Sequence, residues 1–240
     1  MIRFVTETGS TNTDLASELR AGMAVPEGEW LVADRQVSGR GRQGRAWFDG
    51  YGNFMGSTVV HLSPRDPNPA TLALVAGVAA YEAVSGVLAD PSLLKLKWPN
   101  DLLLRNAKLA GILLEREGNA VIVGMGVNLV AAPDLPDRKT IALTNFGPPP
   151  DREIFARSLS YAFDQELDRW RTYGLEPLIR RWESVAHPRG ASLTVNVPGE
   201  QRIEGTFDGL TPEGTLQLRL EDGSTRAIHA GDVMLANEGN

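Results

Sequence analysis

Between residues 94 and 129, the chain consists almost entirely of short apolar or alternating segments separated by turn residues. Residues 94–98 alternate as Leu-Lys-Leu-Lys-Trp, which is typical of a half-buried strand. Three further strand patterns follow, at residues 102–104, 109–115 and 120–129. A Pro-Asn-Asp turn precedes the first of them, and Gly-Asn forms a hairpin turn between the second and the third. Any fold of this chain must therefore accommodate a run of neighbouring strands in its middle.

Helical patterns lie on both sides of that run. Apolar residues recur at helical spacing in four segments, residues 12–20, 71–88, 151–173 and 176–185. Thr11 with Asp14 fits a capping box before the first of these helices, and Asp151 fits an N-cap before the third. Three further strands are predicted at residues 2–5, 30–33 and 53–60.

The pattern changes after His187-Pro188. Short alternating segments follow, separated by the turn clusters PGE, TPEG and EDG, at residues 192–197, 201–208, 215–220 and 225–229. This spacing predicts a small β-barrel of about five strands. We place the domain boundary near Ala186, which gives domains of residues 1–186 and 187–240.

Charge and composition exclude several classes of function. The 240 residues carry a formal net charge of −6, which argues against general binding to a nucleic-acid backbone. The absence of cysteine excludes disulfides, thiolate nucleophiles and cysteine-based zinc sites, and it fits a cytoplasmic location. The start of the chain carries charge at once, and no apolar stretch is long enough to span a membrane. We therefore expect no signal peptide, no membrane and no DNA partner.

The segment GRGRQGRAWFDGYGN, residues 39–53, contains three arginines among glycines. It matches the G-x-G-x-x-G pattern, but a dinucleotide-binding turn should open a helix, and no helical spacing follows here. An anion-binding loop fits better, because guanidinium groups pair with carboxylate and phosphate oxygens and glycines allow a close approach of the backbone. On this stretch alone, a solvated basic loop remains the alternative.

Three more motifs have both a structural and a functional interpretation. KWPNDLLL places Lys97 and Asp101 around a turn, either as a simple β-turn or as an acid that holds Mg²⁺ or orders polar groups beside a phosphate. In KLAGILLE, Lys108 is either solvated or directed at a bound anion. In VGMGVNL, Gly124 and Gly126 indicate either packing against a helix or close approach of a ligand.

The order of these motifs resembles that of the biotin–protein ligases. A Ser-Thr-Asn turn is followed by Q-x-x-G-R-G-R-x-G-R-x-W, K-W-P-N-D, K-x-x-G-I-L-x-E and G-x-G-x-N, so the resemblance covers nearly the whole chain. It implies an α+β fold, in which a class II synthetase-like domain with a mixed β-sheet flanked by helices precedes a small SH3-like β-barrel. It also implies that ATP activates biotin as biotinyl-5′-AMP with release of pyrophosphate, and that biotin then passes to a lysine of a biotin carboxyl carrier domain.

The resemblance also assigns roles to individual residues. It implies that biotin is bound by Ser10, Thr11, Asn12, Gln36, Arg40, Gly41, Arg42, Lys108 and Gly111. It implies that ATP and the adenylate contact Arg42, Arg45, Trp47, Lys97, Asn100, Asp101 and Asn128. For Arg45 a role in anchoring the loop, and for Trp47 a role in the core, remain the alternatives. Lys108, Arg42 and Asp101 are the expected catalytic residues, Mg²⁺ is expected to assist, and no metal ligands are assigned.

The chain departs from some family members in two ways. Some members have an N-terminal DNA-binding domain, which is not expected here. In others, a tryptophan stacks on adenine from a loop that corresponds to residues 130–145 of this chain, but residues 130–145 include no aromatic residue. A homodimer is possible. Lipoate–protein ligases and a non-catalytic biotin or nucleotide sensor remain the rival interpretations.

Overall fold

The computed structural model describes residues 1–197, 199 and 201–235. The first part of the chain forms a seven-stranded sheet in the order β1-β2-β3-β7-β6-β5-β4. Its strands are β1 (Ile2–Thr8), β2 (Trp30–Gln36), β3 (Phe54–His61), β4 (Leu94–Lys97), β5 (Asp101–Leu104), β6 (Ala107–Glu117) and β7 (Ala120–Val127). The pair β1–β2 is parallel and the other pairs are antiparallel, which confirms the predicted mixed sheet.

Helices cover both faces of this sheet. They are α1 (Thr11–Arg20), α2 (Leu72–Ser85), α3 (Arg152–Tyr173) and α4 (Leu175–Ser184). Helix α1 packs its Leu15 against one face, together with Leu31, Val59 and Ile122. The other three helices pack on the opposite face, as the separate core cluster there indicates. Because side chains alternate along a strand, β2, β3 and β7 contribute to both cores, and the fold is α+β as expected.

The opposite face is anchored by aromatic side chains. The ring of Trp30 lies 6.0 Å from that of Phe54 and 5.6 Å from that of Phe163, and Phe54 lies 5.8 Å from Phe155. The tilted and edge-to-face arrangements suit the charge distribution of aromatic rings. This cluster joins β2 and β3 to helix α3.

One predicted helix cap is wrong and another is confirmed. Helix α1 begins at Thr11, so Ser10 and not Thr11 occupies the N-cap position, and no side chain caps the helix. The buried Thr11 hydroxyl bonds to Ser57, and Asp14 accepts from Thr8 instead. A buried hydroxyl requires a partner, and here a tertiary partner replaces the local capping box. Asp151 caps helix α3 as predicted, accepting from the backbone N–H groups of Glu153 and Ile154 at 2.9 Å.

The C-terminal part forms a five-stranded antiparallel sheet in the order β11-β10-β9-β8-β12, consistent with an SH3-like barrel. Its strands are β8 (Ser192–Asn196), β9 (Ile203–Leu210), β10 (Leu216–Arg219), β11 (Thr225–Ile228) and β12 (Asp232–Leu235). The last strand lies beyond the four segments identified in the sequence. The boundary between residues 186 and 187 stays a prediction.

The barrel is joined to the first part of the chain, at helix α4 and at the turn after β4, by polar and aromatic contacts. The indole N–H of Trp98 donates to the Gly214 carbonyl at 3.2 Å, and the Leu210 N–H donates to Glu183 at 2.7 Å. The rings of Trp182 and Phe207 are 6.4 Å apart. Among the described residues, no helix has the length and apolar character that a membrane crossing requires.

Candidate active site

A cavity of about 710 Å³ lies on the α1 face of the large sheet, bounded by the Gly/Arg segment, the sheet and the barrel. Every candidate residue from the sequence lines it, namely Ser10, Thr11, Asn12, Gln36, Arg40, Gly41, Arg42, Arg45, Trp47, Lys97, Asn100, Asp101, Lys108, Gly111 and Asn128. Motifs separated by up to about half of the chain therefore converge on one volume.

The floor of the cavity is made of glycines. Along β7, Gly124 and Gly126 face the same side as Ile122, because side chains alternate along a strand. A Cβ at Gly124 would overlap the Asn12 amide, and a Cβ at Gly126 would overlap the Trp47 indole. The glycines thus make room for these two side chains.

Trp47 lies on that floor and in the ligand cavity. Its ring would also be 2.9 Å from a Cβ at Gly111, and the ammonium nitrogen of Lys108 lies 5.8 Å from its centroid. Its buried Nε1 has no hydrogen-bond partner in the described structure. A flat, half-buried indole inside a cavity presents a stacking surface for a planar ligand group.

One end of the cavity is polar and uncharged. The buried side chains of Thr11, Asn12, Gln36 and Ser57 meet there, from α1, β2 and β3. The Gln36 Oε1 accepts from the Thr11 N–H at 2.8 Å, and the hydroxyls of Thr11 and Ser57 are 2.6 Å apart. Ser57 donates to the Asn12 Oδ1 at 2.6 Å.

The direction of these hydrogen bonds follows from the donor inventory. An amide oxygen can only accept, so the single hydroxyl proton of Ser57 goes to Asn12. The Thr11 hydroxyl therefore donates to Ser57, at a shorter distance than the 3.1 Å that separates it from Gln36 Oε1. With these hydrogen bonds formed, the amide N–H groups of Gln36 and the remaining lone pairs of the hydroxyls are available to a ligand that both donates and accepts hydrogen bonds.

The other end of the cavity is ionic. The Lys108 Nζ lies 2.5 Å from Asp101 Oδ1, and the Lys97 Nζ lies 3.5 Å from Asp101 Oδ2. Burial opposes ionisation of Asp101, but the two lysines outweigh it, and the pKa of Asp101 lies below its ordinary value. Asp101 is thus a carboxylate that orders two ammonium groups at the cavity wall.

A β-bulge places Lys108 in the cavity. The β5–β6 register shifts so that Leu102 pairs with Ala110 and Leu103 with Lys108, which leaves Leu109 without a partner. In a regular strand, Lys108 and Gly111 would face opposite sides of the sheet, because they are three residues apart. The bulge brings them to the same side, where a Cβ at Gly111 would be 3.2 Å from the Lys108 Nζ. The bulge therefore turns the lysine toward the glycine floor.

The arginines of the Gly/Arg segment occupy three different positions. Arg42 donates to Asn100 Oδ1 at 3.0 Å and approaches the Gly231 carbonyl of the barrel at 3.5 Å. Arg45 pairs with Asp232 of the barrel. Arg40 lies at the opposite rim, where it donates to Thr13 at 2.9 Å and to Glu115 at 3.1 Å.

Asn128 lines the cavity and carries a hydrogen-bond acceptor that no described residue uses. Its Nδ2 donates to the Ile141 carbonyl at 3.2 Å, whereas its buried Oδ1 has no partner among the described residues. The segment that follows is held by the buried Asn53, whose Oδ1 accepts from the N–H groups of Val130 and Ala131 at 2.9 and 3.1 Å. This brace fixes the wall beside Asn128.

Sequence patterns did not identify several residues that line or support the cavity. Ser57 lies within an apolar strand, Arg138 lies in a loop without a motif, and Asp232 belongs to the barrel. The alternation of β3 puts Ser57 on the same face as Val59, but only the sheet order shows that this face meets Asn12. Arg138 and Asp232 are brought to the cavity by tertiary packing.

Comparison with known proteins gives matches over both parts of the chain. Residues 5–129 match the biotin/lipoate A/B protein ligase family, and residues 194–235 match the biotin protein ligase C terminal domain. The biotin–[acetyl-CoA-carboxylase] ligase of Paracoccus denitrificans is 35% identical, over 94% of this chain and 97% of that protein. The bifunctional ligase/repressor BirA of Bacillus subtilis is 31% identical, over 94% of this chain and 71% of that protein.

Solved structures have the same fold over almost the entire length. The biotin protein ligase from Aquifex aeolicus, in complex with biotin and ATP, superposes with a TM-score of 0.86 at 25% identity. The match covers 98% of this chain and 99% of that chain, so it includes both the large sheet and the barrel.

Proposed function

Because the chain belongs to the biotin/lipoate A/B protein ligase family, we propose that it is an ATP-dependent biotin–protein ligase. It activates biotin as biotinyl-5′-AMP with release of pyrophosphate and then transfers biotin to a lysine of the biotin carboxyl carrier protein of acetyl-CoA carboxylase or a related carboxylase. The biotin ligase relatives and the ligase complex with biotin and ATP support both substrates.

One observation supports this function most strongly: a single cavity has a neutral polar end and an ionic end. The ureido group of biotin donates through two N–H groups and accepts through its carbonyl, which suits the amides and hydroxyls around Thr11 and Gln36. The carboxylate of biotin and the phosphates of ATP suit Lys97, Lys108 and Arg42.

The first step joins two anions. A carboxylate oxygen of biotin attacks the α-phosphorus of ATP, the bond from that phosphorus to the bridging oxygen breaks, and pyrophosphate leaves with the electron pair. Negative charge increases on the α-phosphoryl oxygens in the transition state. Fixed cations lower the energy of that state most where they are already ordered, and Asp101 orders Lys108 and Lys97 before the ligand arrives.

The nucleotide is placed between the ionic end and the indole. In this proposal Trp47 stacks on the adenine, and Asn128 Oδ1 accepts from its amino group. Arg42 and Arg45 lie over the phosphates, held by Asn100 and by Asp232 of the barrel. In the proposed bound state, Ser10, Gly41 and Gly111 line the path of the biotin chain between the two ends.

Magnesium fits this site as a partner of the nucleotide. The described residues contain no group of three or more acidic or histidine side chains that could hold a metal ion unaided. Mg²⁺ is commonly held by one or two carboxylates together with substrate phosphates, and Asp101 is an ionised carboxylate at the phosphate end. When bound, Mg²⁺ would screen the charge of the departing pyrophosphate.

The second step requires a carrier lysine at the cavity mouth. Its neutral amine attacks the carbonyl carbon of the mixed anhydride and forms an amide bond. The bond from that carbon to the phosphate oxygen breaks, AMP leaves with the electron pair, and the nitrogen releases its extra proton to solvent.

We also propose that the chain functions in the cytoplasm without a DNA partner, consistent with its net charge of −6, and that it can form a homodimer.

The transfer reaction tests this function. The purified chain is incubated with ATP, Mg²⁺, labelled biotin and an apo carrier domain, and the label on the carrier is measured; parallel reactions contain labelled lipoate or a carrier whose acceptor lysine is replaced by arginine. We expect label from biotin on the intact carrier alone. Label from lipoate instead would make the chain a lipoate ligase, and biotin binding without transfer would make it a sensor.

A further inference from the structure

Glu115 connects the two sides of the neutral end of the cavity. It lies on β6, on the same face as Gly111 and Leu113, and its carboxylate accepts from Asn12 Nδ2 at 2.8 Å. The same carboxylate accepts from Arg40 Nη2 at 3.1 and 3.4 Å. One carboxylate therefore contacts the helix that begins at the cavity and the Gly/Arg segment that covers it.

The contact with Glu115 determines which way the Asn12 amide points. A carboxylate only accepts, so the amide nitrogen must face Glu115, and the amide oxygen then faces the Ser57 hydroxyl. That orientation sets the donor direction of the chain from Thr11 through Ser57 to Asn12. Loss of the acceptor at position 115 would allow the Asn12 amide to turn over, and the donor direction of the hydrogen bonds among Thr11, Ser57 and Asn12 would then reverse.

Glu115 also determines where Arg40 lies. The Arg40 guanidinium is about half exposed, and an exposed arginine has many conformations of similar energy. Contacts with Glu115 and with the Thr13 hydroxyl at 2.9 Å restrict it to the rim above Asn12. Charge-assisted hydrogen bonds of this kind are stronger than those between neutral groups.

We propose that Glu115 is a positioning residue for biotin, which acts through Asn12 and Arg40 to order the ureido end of the site. This inference rests on the proposed function as a biotin ligase. Glu115 does not line the cavity itself. Its effect is therefore expected on the binding of biotin and not on the binding of the nucleotide at the other end.

The same strand provides a matched control. Glu117 lies two residues along β6, on the same face, and its carboxylate pairs with Arg20 of α1 at 3.1 Å. Like Glu115, it pairs with an arginine and contacts helix α1, but neither Glu117 nor Arg20 lines the cavity. Replacement of Glu117 removes an α1–β6 ion pair without disturbing Asn12 or Arg40.

The experiment compares Glu115→Gln with Glu117→Gln. Glutamine keeps the size of the side chain, but its NH₂ group would face the donors on Asn12 or Arg40. Biotin-dependent exchange of pyrophosphate into ATP is measured with each substrate varied. In Glu115→Gln we expect the KM for biotin to rise about tenfold, equivalent to ~1.4 kcal/mol, and the KM for ATP to change by less than about twofold. Both constants should be unchanged in Glu117→Gln.

A double-mutant cycle tests the route through Arg40. If Glu115 acts partly through Arg40, the effects of Arg40→Gln and Glu115→Gln on the KM for biotin should combine to less than their product. Equal behaviour of Glu115→Gln and Glu117→Gln, or parallel rises of both KM values with a lower Tm, would overturn the positioning role. Absence of biotin-dependent exchange in the unmodified chain would instead overturn the proposed function, and this inference with it.

Discussion

At the scale of single residues, the ionic end depends on the group formed by Lys97, Asp101 and Lys108. The motifs K-W-P-N-D and K-x-x-G-I-L-x-E predicted the residue types, since a lysine and an acid flank a turn in the first and a lysine precedes a strand in the second. They did not predict the 2.5 Å contact between Lys108 and Asp101, because it depends on a bulge that has no signature in the sequence.

Replacement of Lys108 separates catalysis from stability. In Lys108→Ala, we expect adenylate formation to fall by about 100-fold or more, because a fixed cation beside the α-phosphate is lost. Asp101 keeps Lys97 as a partner, so Tm should fall by no more than roughly 5 °C. The measurements are pyrophosphate exchange and thermal unfolding, with Lys95→Ala of β4 as the control. A large loss of Tm in Lys108→Ala would show that the lysine is mainly structural.

At the scale of elements, strand β7 was predicted at nearly its observed length, and its glycines indicated either packing against a helix or close approach of a ligand. Periodicity gave the two faces of the strand but not what each face meets, since that depends on the order of the strands. The structure shows that Gly124 meets Asn12 of α1 and that Gly126 meets Trp47. The capping-box prediction at Thr11 failed for a related reason, because a tertiary partner at Ser57 replaced a local one.

The two glycines of β7 should have separable effects. An added methyl in Gly124→Ala displaces the Asn12 amide and should raise the KM for biotin, whereas Gly126→Ala displaces Trp47 and should raise the KM for ATP. Overpacking of this kind commonly costs 1–3 kcal/mol, so we expect about a tenfold effect on one substrate in each variant. The KM values from pyrophosphate exchange check this, and each variant controls for the other. Similar effects of both variants on both substrates would contradict the division of the cavity.

At the scale of the whole molecule, the sequence predicted two folded parts and their classes but not their contact. Arg42 and Arg45 belong to the first part, whereas Gly231 and Asp232, which they contact, belong to the barrel. Such contacts follow from packing of the two parts and not from any local pattern. The connection between them contains His187, whose Nε2 is buried without a partner in the described structure.

His187 makes stability depend on pH. Burial, followed by the charges of Lys97 and Lys95, lowers the pKa of His187 from 6.5 to about 4 in the folded chain. The unfolded chain therefore takes up this proton first, and stability present above pH 6.5 is lost as the pH falls toward 4. We expect roughly 2 kcal/mol less stability at pH 5 than at pH 8 from this group.

Chemical denaturation at both pH values checks this contribution. The difference between pH 8 and pH 5 should be smaller in His187→Gln than in the unmodified chain by about that amount. His229→Gln is the control, because His229 is another histidine, on the barrel side of the chain. An unchanged pH dependence in His187→Gln would contradict the burial of an uncharged imidazole at this position.

In the proposed function, one cavity binds biotin at its neutral end and ATP at its ionic end and joins the two substrates. Exchange of labelled pyrophosphate into ATP, measured with no addition, with biotin and with lipoate, tests it without any carrier protein. We expect exchange that depends on biotin, saturates with it and requires Lys108. Exchange that occurs equally without biotin, or that responds to lipoate alone, would contradict it.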